Sequence, residues 1–265
     1  MFEIFQFDFM IRAFAAGGVT AIIAPLLGNF LVVRRYSLMA DTLAHVALVG
    51  AALSLLLGTN PILTAVVTSL VVGIVIEKLR SRGGITGESI LAIFLSSSLA
   101  VVAIIISLIK GTGFNLSGFL FGSIVTVLPS DLVYIVGLGV VTLLVVVLIY
   151  KPLFLTSFDE EIAQASGIRV QQINTVLILL TALTVSVSIR VIGALLTGAL
   201  MIIPVMAATQ ISKSFKQNVV FSILFSLLAV VIGLFVSYYL NLASGGTIVI
   251  VALLIFILTL IVKVR

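Results

Sequence analysis

The sequence predicts an all-α polytopic membrane protein, a single domain over residues 1–265 with about nine transmembrane helices (eight to ten). Three observations carry this prediction. Hydrophobic residues make up 62% of the chain and charged residues only 9%, against about 25% in an ordinary soluble domain. The mean hydropathy is +1.43. Apolar runs recur along the whole chain, and each is close to the roughly 20 residues that cross a bilayer as a helix.

The predicted spans are separated by short polar breaks. In order they fall at residues 12–33, 37–57, 61–79, 88–109, 131–150, 172–189, 191–211, 217–239 and 245–263. The stretch between the fourth and fifth spans, residues 111–130, is rich in glycine, is only partly apolar and contains Pro129. It predicts a re-entrant or interfacial segment rather than a further span.

The distribution of basic residues predicts the orientation. If the loop after the first span is cytoplasmic, eleven of the fourteen basic residues lie on that side. These eleven are Arg34, Arg35, Lys78, Arg80, Arg82, Lys151, Arg169, Lys213, Lys216, Lys263 and Arg265. Cytoplasmic loops carry an excess of Lys and Arg, so we expect the N-terminus outside and the C-terminus in the cytoplasm. This bias accounts for the net charge of +5 without a nucleic-acid partner.

The longest predicted cytoplasmic connection contains helix-capping signals. Ser157 followed three residues later by Glu160 has the form of a capping box. Asp159, Glu160 and Glu161 place negative charge in the first turn, where the helix dipole favours it. Gly167 can supply a left-handed C-terminal cap. A short helix is therefore predicted between these signals.

This helix runs from Phe158 to about Ser166 and is too short to cross a membrane. Phe158, Ile162 and Ala165 share one face, opposite the acidic one. Two interpretations are open at this point. The helix packs against its own bundle at the membrane interface, or it docks into a cytoplasmic partner.

Two polar residues interrupt the second span. Asp41 and His45, the only histidine of the chain, lie four residues apart and therefore on one helix face. An ionised Asp costs about 2.5–3.5 kcal/mol at the bilayer centre, so this face should point into the bundle or into a water-filled path. The pair is either a hydrogen-bonded contact between helices or a pair of ligands for an ion. The chain has no cysteine, which excludes thiolate sites.

Three stretches resemble the metal-ion permease subunits of ABC importers, the group that takes up zinc or manganese. They are "RRYSLMADTLAHVALVG", "SFDEEIAQASGIRV" and "SIRVIGALLTGALMIIPVMAA", in register with the family pattern over essentially the whole chain. The resemblance implies that Asp41 and His45 line the ion route. It also implies that the acidic loop helix is the coupling helix that fits a groove on the ATPase subunit.

The resemblance further implies a homodimer in the cell membrane of a prokaryote. This dimer receives a divalent metal ion from an extracytoplasmic binding protein, and a separate ATPase subunit drives import, so the chain itself is no enzyme and holds no permanent cofactor. Asp and His ligands suit zinc, manganese or iron. "DTLAHVALVG" looks closer to the zinc-type members, so zinc is favoured over manganese.

Several residues at the sixth and seventh spans complete the set of candidates. Arg190, expected between the two spans, is either a gate or helix-end partner, or an arginine that reaches the outer interface. Small residues four apart and a proline in the seventh span predict close helix packing and a kink. These packing candidates are Gly193, Thr197, Ala194, Gly198 and Pro204.

Functions of other classes fit less well. An intramembrane metalloprotease of the H-E-x-x-H type needs two histidines, and the chain has one. The stronger alternative is an ion-coupled secondary metal transporter, which would use Asp41 and His45 as a proton relay. That alternative leaves the capped acidic helix without a partner.

Overall fold

The computed structural model describes residues 3–108, 116–122 and 128–264, without the side chains of residues 3, 116, 117, 190, 191, 195 and 264. Over these ranges the secondary structure is helical, with a short 3-10 turn at Glu3–Gln6 before the first α-helix. The α-helices are α1 (Asp8–Val33), α2 (Ser37–Leu57), α3 (Pro61–Ser81), α4 (Gly87–Leu108), α5 (Leu116–Phe121), α6 (Pro129–Leu148), α7 (Tyr150–Phe158), α8 (Glu160–Ala165), α9 (Val170–Ile192), α10 (Ala194–Thr209), α11 (Phe215–Leu240) and α12 (Ser244–Val264).

Each predicted span corresponds to one of these helices. Eight of the described helices are long and apolar enough to cross a membrane. The seventh predicted span, α10, is apolar but only 16 residues long. The structure thus confirms the all-α membrane fold and a span number within the predicted range. The orientation of the termini stays a prediction.

Burial separates central helices from peripheral ones. In α1 and α2, 72% of the most apolar window is buried within the chain, and in α9 67%. The corresponding fraction is 33% in α3 and 28% in α4, whose remaining apolar side chains face outward. The helix with Asp41 and His45 is therefore one of the most enclosed in the molecule.

The boundary between the sixth and seventh spans differs from the prediction. Arg190 does not lie between helices, because α9 continues through it and the break comes at Gly193. Gly193 has φ +94° and ψ 155°, a conformation that is essentially restricted to glycine. A Cβ at this position would lie 2.5 Å from the amide nitrogen of Gly122, at the end of α5. The glycine-restricted conformation and the close contact with Gly122 thus explain why the break between α9 and α10 lies at Gly193.

Part of the predicted re-entrant segment is described. It contains one short helix, α5, whose end packs against the start of α10 and against Gly193. Residues 111–115 and 123–127 of that prediction lie outside the described residues. The six residues described as helix are too few to cross a bilayer, and whether the whole segment is re-entrant or interfacial stays a prediction.

The capping box predicted at Ser157 is wrong. Ser157 lies inside α7, where its hydroxyl donates a hydrogen bond of 2.7 Å to the Leu153 carbonyl. The chain bends at Asp159, which has extended backbone and caps α8, since its carboxylate accepts a hydrogen bond of 2.9 Å from the Ile162 amide. Because α7 continues to Phe158, the N-cap of the next helix is Asp159, two residues after the predicted Ser157.

The C-terminal cap agrees with the prediction. Gly167 has φ +80°, and the amide of Ile168 donates a hydrogen bond of 3.1 Å to the carbonyl of Ala163. This is the Schellman arrangement, in which a left-handed residue closes the helix end. The predicted face is only partly correct, however, because Phe158 belongs to α7 and does not share a helix with Ile162 and Ala165.

Candidate functional site

Asp41 and His45 lie one helical turn apart near the start of α2. Asp41 is half-buried, and His45 is 7% exposed. Their spacing places both side chains on one face, as predicted. A carboxylate and an imidazole are therefore enclosed together within an apolar bundle.

One nitrogen of the His45 imidazole, Nδ1, is buried without a hydrogen-bond partner among the described residues. Buried polar atoms are normally hydrogen-bonded, because an unpaired one costs about 1–3 kcal/mol. A nitrogen that is buried and unpaired can accept a proton or bind a metal ion. Within the described part of the chain, Nδ1 of His45 thus makes no hydrogen bond of the kind expected in an ordinary contact between helices.

Asp41 lies against the backbone of α10 at Gly198. A Cβ added at Gly198 would lie 2.7 Å from the carboxylate carbon of Asp41 and closer still to Oδ1. The side chain of Asp41 therefore occupies the space that any larger residue at position 198 would need. Sequence reasoning assigned Gly198 to general helix packing, and the structure shows that its neighbour is the acidic candidate ligand.

Asp41 and His45 are only two candidate ligands. Among the described residues no group of three or more His, Cys, Asp or Glu side chains could hold a metal ion together. The donors on α2 are one carboxylate and one imidazole. Tetrahedral zinc sites have four ligands, so the described residues of one chain do not complete such a site from these residue types.

Three other candidates of the seventh span, Thr197, Ala194 and Pro204, lie within α10. Thr197 is buried and donates a hydrogen bond of 2.6 Å to the carbonyl of Gly193. Ala194 is 1% exposed, and Pro204 lies inside α10. The side chain of Arg190 lies outside the described residues, so its predicted role as a gate or helix-end partner stays a prediction.

A second candidate site lies at α7 and α8. We define the docking surface as Phe158, Glu161, Ile162 and Ala165, all of which are exposed. Phe158 is 56% and Ile162 is 55% exposed, while Ala163 on the other side of α8 is fully buried. Phe158 and Ile162 thus leave more than half of their side-chain surface uncovered by the described residues.

Aromatic packing fixes this surface to the bundle. The ring of Phe158 lies 4.7 Å from that of Phe154 and 5.7 Å from that of Phe215, between ring centroids. Phe215 in turn lies 5.2 Å from Phe30 of α1. Aromatic pairs at these distances are stabilising, so α7 is firmly attached to α1 and α11.

Arg34 connects α8 with the bundle. The residue follows α1, and its guanidinium donates hydrogen bonds to Ser157 (3.1 Å) and to Asn174. Its Nη1 lies 3.9 Å from Oε1 of Glu160. Burial lowers the pKa of Arg34, and the nearby Glu160 carboxylate partly opposes this shift. Sequence reasoning used Arg34 only as an orientation signal, because its partners are more than 120 residues away.

A neighbouring group holds the start of α2. Arg80 donates a hydrogen bond to the hydroxyl of Tyr36, and its guanidinium carbon lies 4.9 Å from the centre of the Tyr36 ring. Arg80 also pairs with both oxygens of Glu77, at 2.8 and 2.9 Å. Burial raises the pKa of the Tyr36 hydroxyl above its ordinary value, and the nearby Arg80 guanidinium partly opposes this shift. Tyr36 directly precedes α2, so this group of polar contacts lies at the start of the helix that carries Asp41.

Comparison with known proteins decides the family. The profile of the ABC 3 transport family matches residues 6–263. The chain belongs to the ABC 3 transport family. This confirms the resemblance inferred from the three sequence stretches.

Relatives of this ABC 3 transport family member are named for two different metals, zinc and manganese. The high-affinity zinc uptake system membrane protein ZnuB of Haemophilus influenzae is 32% identical over 256 residues, covering 96% of this chain and 98% of the relative. The manganese import system permease protein ScaB of Streptococcus parasanguinis is 34% identical over 254 residues, covering 96% of this chain and 90% of the relative.

A solved structure matches this ABC 3 transport family member over most of its length. PsaBC from Streptococcus pneumoniae, in complex with a Fab, superposes with a TM-score of 0.86 at 32% identity. The match covers 97% of this chain and 92% of the other. With its apolar helices, the chain is a multi-pass protein of a prokaryotic cell membrane.

Proposed function

We propose that this chain is the membrane-spanning permease subunit of an ABC importer for a divalent transition-metal ion, zinc or manganese. The observation that carries the proposal is the enclosed pair of Asp41 and His45, with an unpaired imidazole nitrogen, on a central helix. Ionisable residues inside membrane spans mark ion pathways because burying them has a cost that function must offset. The relatives named for zinc and manganese support the same cargo.

The donor types favour zinc over manganese as the cargo. An imidazole nitrogen binds zinc well, and at one set of ligands the affinity for zinc exceeds that for manganese. The pair binds the ion in transit only, since a conduit must also release what it binds. High affinity then belongs to a separate extracytoplasmic binding protein that delivers the ion.

A second copy of the chain completes the ion route. Two copies about a two-fold axis offer two carboxylates and two imidazoles, which is enough to replace most of the hydration shell of an ion. The lack of a third His, Cys, Asp or Glu ligand beside Asp41 and His45 among the described residues supports this homodimer. Closed two-fold dimers are also the commonest oligomers of identical chains.

A separate ATPase subunit binds the docking surface and supplies the energy. The exposed Phe158 and Ile162 offer apolar contacts, and Glu161 beside them offers charge. An amphipathic helix inserted into a groove is a common mode of recognition between proteins. In this proposal the chain itself hydrolyses nothing.

Reconstitution tests the proposal against the ion-coupled carrier. The purified permease is placed in vesicles with its ATPase and its binding protein, and uptake of zinc and of manganese is measured with ATP or with a non-hydrolysable analogue. We expect metal uptake only with hydrolysable ATP, and more zinc than manganese. Uptake that needs no ATP but follows an imposed proton gradient would instead establish the carrier.

A charge reversal tests the docking surface. Glu161→Lys should weaken binding of the ATPase and uncouple hydrolysis from import, because the surface meets its partner there. Glu88→Lys is the matched control, since Glu88 is equally an exposed acidic residue in the first turn of its helix. ATPase binding and import that are unchanged in the Glu161 variant would defeat this part of the proposal.

A further inference from the structure

We propose that Gly198 is a positioning residue that holds the carboxylate of Asp41 in place on the ion route. This inference rests on the proposed function, because it concerns how one candidate ligand is oriented. Because glycine has no side chain, a space is left beside Gly198 on α10. The Asp41 carboxylate fills that space, with its carbon 2.7 Å from the site of a Cβ.

The contact is close on the backbone side of Asp41 as well. The amide nitrogen of Asp41 would lie 3.3 Å from the same Cβ. Real Cβ atoms essentially never approach other heavy atoms within 3.0 Å. A methyl group at position 198 and the present carboxylate therefore exclude each other, and one of the two helices or the side chain has to shift.

α10 has little freedom to shift. One turn after Gly198, the backbone of α10 at Met201 touches α1, since a Cβ at Gly28 would lie 2.9 Å from the Met201 carbonyl carbon. Before Gly198, the start of α10 is in close contact with the end of α5 at Gly193. With the backbone held on both sides, the Asp41 side chain is the part that yields. Gly198→Ala therefore displaces the ligand rather than the helix.

The expected effect on import is large. A misplacement of about 1 Å in a reacting or binding group can cost on the order of 100-fold. We expect Gly198→Ala to lower the rate of metal import by roughly 10- to 100-fold at equal abundance in the membrane. The matched control is Gly18→Ala in α1, where an added Cβ would meet nothing within 4 Å. The control should import at the parent rate.

A double-variant cycle separates positioning from general packing. Thermal stability in detergent is measured for the parent, Gly198→Ala, Asp41→Ala and the double variant. If the added methyl group conflicts with the Asp41 carboxylate, Gly198→Ala lowers the unfolding temperature of the parent. It should leave the unfolding temperature of Asp41→Ala unchanged or higher, because the carboxylate is gone and the methyl group fills its space.

The outcomes are distinct. An equal loss of stability in both backgrounds, or import at the parent rate in Gly198→Ala, would overturn the positioning role. If Gly198→Ala alone fails to fold, the double variant decides, since it should fold and a failure would also overturn the proposal. Import at the parent rate in Asp41→Ala would contradict the proposed function instead, and the stability cycle would still report whether the two residues are coupled.

Discussion

The guanidinium of Arg34 lies 3.9 Å from the carboxylate of Glu160, and the two side chains differ strongly in exposure. The Arg34 side chain is 4% exposed, whereas that of Glu160 is 48% exposed. Arg34 also donates hydrogen bonds to Ser157 of α7 and Asn174 of α9, the helices before and after α8. The arginine is therefore the centre of this junction, and the glutamate is its outer partner.

This asymmetry predicts unequal losses of stability. Arg34→Gln removes charge-assisted hydrogen bonds from a buried group and should lower the free energy of unfolding by about 1–3 kcal/mol. Glu160→Gln removes a half-exposed partner and should cost roughly 0–1 kcal/mol, because solvent screens such pairs. Unfolding of the two purified variants in detergent measures the difference. A larger loss in the Glu160 variant would contradict the central position of Arg34.

The left-handed cap of α8 predicts a local effect of a single methyl group. Gly167 has φ +80°, which costs a residue with a Cβ about 1–2 kcal/mol. Gly167→Ala should therefore speed up hydrogen exchange in the amides of α8 while the exchange of α2 stays unchanged. Gly58, the C-cap of α2, is likewise a left-handed glycine with open space around it, so Gly58→Ala is a control that should leave the exchange of α8 unchanged. Unchanged exchange in α8 would show that the cap does not stabilise this helix.

The basic residues predict which loops lie inside. Lys78 is in the last turn of α3, Lys216 is at the start of α11, and Asn241 follows the end of α11. Reporter fusions after Lys78 and after Lys216 should be cytoplasmic, and a fusion near Asn241 should be outside. All three reporters on one side of the membrane would contradict both the orientation and α11 as a span.

The imidazole of His45 predicts a dependence on pH. A free imidazole titrates near pH 6.5, and the protonated form has no lone pair for a metal ion. With saturated binding protein and constant ATPase activity, import should decline as the route is acidified. His45→Ala should import more slowly, and its rate should depend less on pH. The same pH profile in parent and variant would exclude His45 as the titrating ligand.

The sequence predicted the long helices well because each is an apolar run of nearly the length that a bilayer requires. The second span was predicted at residues 37–57, and α2 has these bounds. Local signals were also sufficient for Gly167, since only its own conformation and its nearest neighbours decide the cap. The order of helices and the position of Asp41 and His45 on one of them followed from the same local information.

The features that the sequence did not predict depend on contacts between distant residues. Ser157 and Asp159 are both good helix caps, and the packing of α7 against Phe215 of α11 decides between them. The break at Gly193 depends on its contact with α5, about 70 residues earlier in the chain. Spacing indicated that Gly198 allows a close approach, but it could not show that Asp41 is the group that approaches.

The most direct test of the central claim is metal import by Asp41→Asn and His45→Ala in vesicles with the ATPase and the binding protein. Asn is nearly isosteric with Asp, so Asp41→Asn should keep the fold and ATPase binding while it removes the anionic ligand. We predict that both variants insert normally and import metal at least tenfold more slowly than the parent, which corresponds to an activation barrier higher by roughly 1.4 kcal/mol or more. Import at the parent rate by both variants across the pH range would contradict the claim that the ion passes Asp41 and His45.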